Sequence, residues 1–166
     1  PPQPLTVLAH AFGNKSWNAS KGEDRYRRSV YTFVKRTAPF AGHMTFDGTS
    51  GENCLARRDR SNTPLQALTL LNDEMFLELA RAAGEEVHLQ KKDPVDALFR
   101  RFLTRPPSSE ETKALQAYLD QQIERLKKGE LKSAEIAADK KATPELAGKV
   151  LLARAIMNLD EAITKP

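Results

Sequence analysis

Cysteine is almost absent: Cys54 stands alone in 166 residues. An internal disulfide is therefore excluded, and with it a small disulfide-stapled scaffold, though not any compartment. The same count excludes a covalent c-type haem within the chain, since its attachment needs Cys-x-x-Cys-His. Long apolar runs are missing too. The longest hold about four or five residues, where a spanning helix needs roughly 20, so no membrane insertion is expected. No internal repeat is visible. Charge of one sign is not dominant either, because 26 basic residues face 22 acidic ones and leave a net +4. That excess is local, in Arg25, Arg27, Arg28, Lys35 and Arg36 and again in Arg57, Arg58 and Arg60, so whole-chain charge decides little about partners.

What is present fits one water-soluble domain with a real core. The opening Pro1-Pro2-Gln3-Pro4 has no initiating Met, basic n-region or apolar h-region. It reads as the interior of a longer polypeptide, with any export signal upstream. Residues 1–22 carry many loop formers and little periodicity, and read as an extended arm anchored by Phe12 and Trp17. Asn14-Lys15-Ser16 and Asn18-Ala19-Ser20 match the glycosylation pattern, which is common by chance.

The expected fold is all-α: a single domain over 23–166, an irregular bundle of about five or six helices with one long structured loop. Tyr26, Val30, Phe33 and Val34 recur at helical spacing, which predicts a first helix over 23–36 with those side chains inward. Residues 37–62 hold Pro39, Gly42, Gly48 and Gly51, and only His43–Phe46 could form a short strand. A loop of that length is functional or tightly pinned. Thr63-Pro64-Leu65-Gln66 carries a cap, a proline at the first helical position and a capping-box glutamine. Leu65, Leu68 and Leu70 or Leu71 would form its apolar stripe. Asn72-Asp73 ends that helix and caps a third, which runs to about residue 90 with Phe76, Leu79, Ala80, Ala83 and Val87 inward.

Asp93-Pro94 opens a fourth helix, with Val95, Leu98, Phe99 and Phe102 on its core side. Pro106-Pro107 breaks it, and a fifth follows over about 109–128. Residues 129–142 are polar and read as a weakly held helix or a surface loop. Thr143-Pro144 starts a last helix whose apolar residues cover more than one face, which predicts deep burial.

Residues 22–37, GEDRYRRSVYTFVKRT, are followed in order by Met44-Thr45-Phe46-Asp47, Glu52-Asn53-Cys54, Arg57-Arg58 and Arg60-Ser61-Asn62-Thr63-Pro64-Leu65-Gln66-Ala67-Leu68. Asn72-Asp73 and Met157-Asn158-Leu159-Asp160-Glu161 continue the series. These blocks resemble a planctomycete-specific C-terminal domain of unknown function, the PSD family. Phe46-Asp47-Gly48 stands where relatives tend to have Asp-Ala-Pro, and the upstream part of the family domain is not in this sequence. The resemblance implies a large exported protein, at the periplasm or cell surface, with a cytochrome-c-like neighbouring module that holds haem. It implies no reaction.

Arg57, Arg58 and Arg60, with Asn62 and Thr63, lead into a helix N-terminus, where guanidinium forks could hold a small anion. The blander reading, and the preferred one, is that they pair with Asp47, Glu52 or Asp59 and pin the loop. His43, Asp47, Glu52 and Cys54 are the loop's other polar candidates. Cys54 or Ser50, activated by His43 and oriented by Asp47, could in principle act as a nucleophile, but no elbow motif supports that. Asp47 and Glu52 could be paired on paper as acid and base. His10, His43, His88 and Cys54 lack metal-ligand spacing, so no metal and no cofactor is expected in this chain. Nucleic-acid binding would use Tyr26, Tyr31 and Phe33 among the basic residues, but the periodicity sends those rings to the core.

The reading that follows is a non-catalytic interaction or docking module of a larger exported multidomain protein, with upstream domains of its own polypeptide as partners. The alternative is part of an enzyme or ligand-binding site for an anionic or polysaccharide-derived substrate, centred on 37–62.

Overall fold

The computed structural model describes residues 17–35, 38–49, 51, 54, 56, 57 and 60–164. Among them regular structure is entirely helical and no strand occurs, as expected. The α-helices are α1 (Ala41–Thr45), α2 (Pro64–Asn72), α3 (Glu74–Gln90), α4 (Pro94–Leu103), α5 (Ser109–Lys127), α6 (Ser133–Ala137), α7 (Pro144–Met157) and α8 (Asp160–Ile163). None is long and apolar enough to cross a membrane. The chain divides into two units, Pro1–Gln66 and Ala67–Pro166, and the boundary falls inside α2.

In the second unit each helix start carries a local signal. Asp73 accepts a hydrogen bond from Met75 N at 2.9 Å and Asp93 accepts one from Val95 N at 3.0 Å, which satisfies amides the first turn leaves over. Ser108 and Glu111 form a reciprocal capping box for α5. Thr143 accepts from Leu146 N, and Pro144 fills the first position of α7. α7 is the centre of the unit and packs against α3, α4, α5, α6 and α8. Leu152, Ala153 and Ile156 are fully buried on it, facing Val95, Leu98 and Phe99 of α4 within one continuous core.

Two glycines permit this density. A Cβ on Gly84 would stand 2.8 Å from Val150 Cγ2 and 2.9 Å from Val150 N, so α3 and α7 approach backbone to backbone there. A Cβ on Gly148 would meet Ile123 Cγ1 at 2.6 Å, which draws α7 equally close to α5.

The ends of the unit are tied by arginines. Arg105, after α4, forks onto both oxygens of Glu111 and both of Glu161, at 2.6–3.0 Å, and lies 4.8 Å from the Phe99 ring centre. Its hydrogen bonds hold Glu111 well below the usual carboxylate range, at about 2, and lower Glu161 as well. Arg154 donates to Leu71 O at 2.7 Å, closing the carboxyl end of α2. Residues 129–142 contain α6, and Ile136 packs on the core while Arg81 donates to its carbonyl at 2.9 Å.

Three expectations are corrected. Residues 23–36 do not form one helix: two 3₁₀ turns, Gly22–Tyr26 and Ser29–Tyr31, are separated by extended backbone at Arg27 and Arg28. A 14-residue helix is marginal unless its apolar face is packed, and Tyr26, Val30, Phe33 and Val34 are exposed rather than inward. Tyr31, Thr32 and the valines also have modest helix propensity. The strand considered at His43–Phe46 is instead the end of the short helix α1, which closes at Thr45 with Phe46 as its C-cap. On α2, Leu65 and Leu68 face solvent while Gln66 is buried, because Gln66 has hydrogen-bond partners inside.

Candidate functional site

The long loop is closed at its base by a polar knot. α1 ends as Phe46 N donates to Gly42 O and Gly48 N donates to His43 O at 2.6 Å, the wide hydrogen bond of a Schellman-type ending. Such an ending needs a left-handed residue, and here that residue is Asp47, with φ of 57°. Left-handed backbone costs an ordinary residue about 1 kcal/mol or more, least for Asn and Asp. Gly48 follows because a Cβ there would lie 2.4 Å from His43 O.

This geometry delivers the Asp47 carboxylate to the far end of the loop. Ser61 N donates to Oδ2 at 2.8 Å, and Ser61 Oγ lies 2.8 and 2.9 Å from the two oxygens. Gln66 completes the knot from its buried position. Its Nε2 donates to Thr45 O and to Ser61 Oγ, each at 3.0 Å, while its Oε1 accepts from Thr63 N at 2.8 Å. Thr63 Oγ1 accepts from Gln66 N at 3.3 Å, so the capping box expected from Thr63-Pro64-Leu65-Gln66 is formed. One glutamine thus joins a helix start, a helix end and the loop's closing pair. Buried polar side chains persist where all their groups are satisfied.

The other predicted site residues fall only partly within the described residues. His43 meets the Phe40 ring edge-on at 5.2 Å. Cys54 is a free, exposed thiol, and Arg57, Arg60 and Asn62 are exposed. Arg58, Glu52, Asp59 and Ser50 lie outside the described residues, as do Phe12 and Asn14. Neither His43 nor Cys54 is among the described hydrogen-bond partners of Asp47. No group of three or more His, Cys, Asp or Glu side chains among the described residues could hold a metal ion. Both Asp47 oxygens face the Ser61 hydroxyl, which ties residue 47 to residue 61 across the loop. The sequence points to Gln66 for capping alone, and to Thr63 both for capping and for the candidate anion or loop-pinning site. It did not pick out Ser61, whose only advance signal was the Asp-Gly turn pair it closes upon.

A second feature of the same unit was not foreseen. Tyr26, Val30, Tyr31, Phe33 and Val34 are each 63–75% exposed within nine residues. Arg27 lies 5.7 Å from the Tyr31 ring centre. Phe33 meets Trp17 edge-on and Trp17 stacks on Phe40, both at 6.1 Å, so Trp17 is an anchor of this segment. In the helical unit, an open groove of about 490 Å³ between α3 and α4 is lined by Glu86, Arg101, Asp96 and Arg100. These pair with one another as Arg101–Glu86 and Arg100–Asp96, and the groove holds none of the loop's polar groups.

Residues 1–119, well over half the chain, match the model of a family described as protein of unknown function (DUF1553). No curated protein and no solved structure matches.

Proposed function

The chain belongs to the DUF1553 family, and from that premise we propose that it is a non-catalytic docking module that presents residues 26–34 to an upstream part of its own polypeptide. The observation that carries this reading is the exposure of five large apolar side chains in one short segment. Single exposed apolar residues need no explanation, but a run of five is the composition of a surface awaiting cover. The knot of Asp47, Ser61 and Gln66 supports the same reading, because the Asp47 carboxylate is engaged by Ser61 N and Oγ in joining the two ends of the loop. Export and a haem-bearing neighbouring module, which the resemblance implies, belong to this proposal as its setting.

The test is calorimetric titration of the chain with the separately produced upstream portion of the same polypeptide. Saturable binding that weakens at least about tenfold in a Val30→Ser/Phe33→Ser double variant is expected, given roughly 1.4 kcal/mol per tenfold and the apolar area two such side chains would bury. Absence of binding by the unaltered chain would sink the reading.

A further inference from the structure

From the same segment we infer the chemistry of the surface that receives it: a protein groove with an apolar floor and an acidic rim, which takes residues 25–35 as a short 3₁₀ turn at Ser29–Tyr31 flanked by extended backbone. The inference rests on the docking reading above and adds the partner's charge and the mode of binding.

Charge supplies the rim. Residues 25–35 contain Arg25, Arg27, Arg28 and Lys35 and not one acid, although the chain as a whole is nearly balanced. Arg27 Nε donates to Asp24 at 2.6 Å, with both side chains 60% exposed. A pair that open to water is weak and yields readily to a carboxylate on a partner. Complementary charge around an apolar centre is how interfaces gain register and rate of encounter.

Backbone geometry supplies the mode. Arg27 and Arg28 have ψ near 150° and Thr32 has ψ of 134°, so open backbone stands on either side of the Ser29–Tyr31 turn. Among the described hydrogen bonds none uses the backbone of Phe33 or Val34. Buried against hydrocarbon, such backbone groups would lose water and gain nothing, so a lipid surface is a poor receiver for the segment in this conformation. A protein groove offers donors and acceptors to the backbone of Phe33 and Val34 while pockets take the side chains. Val30 and Val34 likewise argue against a nucleic-acid strand, which would be met by aromatic stacking platforms rather than aliphatic branches.

The experiment is the same titration with the upstream portion, run at about 50 and about 300 mM NaCl, where the screening length falls from above 10 Å to well below it. An Arg27→Gln/Arg28→Gln double variant is titrated alongside. Phosphatidylserine vesicles and a single-stranded oligonucleotide serve as competing receivers. The expected result is binding about tenfold weaker at the higher salt and about tenfold weaker in the double variant, with salt losing most of its effect on that variant. Binding indifferent to salt and to the two arginines would overturn the acidic rim and leave the docking reading intact. Failure to bind at either salt would overturn both. Tighter binding to the vesicles or the oligonucleotide than to the upstream portion would overturn the protein groove.

Discussion

The two units of this chain hold apolar residues at similar helical spacing and do opposite things with them. In α4, Val95, Leu98 and Phe99 are wholly buried against α7. In residues 23–34, Tyr26, Val30, Phe33 and Val34 are exposed, and the helix their spacing predicts is replaced by two 3₁₀ turns. Spacing proposes a helix; a neighbouring apolar face stabilises it. In residues 26–34 the same kind of pattern lies at the surface.

The sharpest way to test this contrast is to remove a packed ring. Phe99 has no exposed area and also stands against Arg105. Phe99→Ala is expected to lower stability by about 3–5 kcal/mol, read as a shift in the chemical-denaturation midpoint of the helical unit. A shift below about 1 kcal/mol would mean that the core is far looser than its burial indicates.

In the first unit the largest effect is expected not from an apolar residue but from Gln66. Gln66→Leu keeps the volume and strands Thr45 O and Thr63 N–H, at a cost of about 1–3 kcal/mol. Because the knot closes the loop, the change should also raise tryptic cleavage at Arg57 and Arg60 by about tenfold or more, as local opening becomes easier. Unchanged cleavage would show that loop closure does not depend on this side chain.

Acid separates the units in another way. Glu111 and Glu161 owe their lowered pKa values first to hydrogen bonds from Arg105. A carboxylate depressed on folding stabilises the folded state above its unfolded value, near 4.5, and that contribution is lost as pH falls through the folded value, about 2 for Glu111. The melting temperature of the helical unit should therefore fall as pH drops from about 5 towards 2. Arg105→Met should lower it at neutral pH and flatten that dependence. A variant with the same acid profile as the parent chain would place the acid sensitivity elsewhere.

The signals that were legible are short-range ones. Asp73, Asp93-Pro94, Thr63 with Gln66, and Thr143-Pro144 each cap a helix with an atom two or three residues away, so their geometry is written in adjacent letters. The break at Pro106-Pro107 belongs to the same class. What was hidden depends on distant partners. Arg105 reaches Glu161 across 56 residues, and Ser61 reaches Asp47 across 14. The left-handed turn at Asp47 was veiled for a related reason, since its cost is offset only once Ser61 arrives. The amphipathic stripe of 23–34 was legible as a pattern but not as a location, because periodicity does not say whether the matching face lies within the same unit.

The smallest stability effect is the most telling about that stripe. Val30→Ser and Phe33→Ser replace side chains that are 75% and 69% exposed. Surface substitutions of this kind change stability by about 0.5 kcal/mol or less, and Phe33 adds only its edge contact with Trp17. Each variant should therefore melt within a degree or two of the parent, on the scale expected for a domain of this size. If either one costs as much as a core truncation, the segment is packed in solution and its apolar residues are structural. If both are silent while binding to the upstream portion collapses, then residues doing almost nothing for the fold are those that carry the docking, and the helix missing from 23–36 is the form a partner-facing segment takes before its partner arrives.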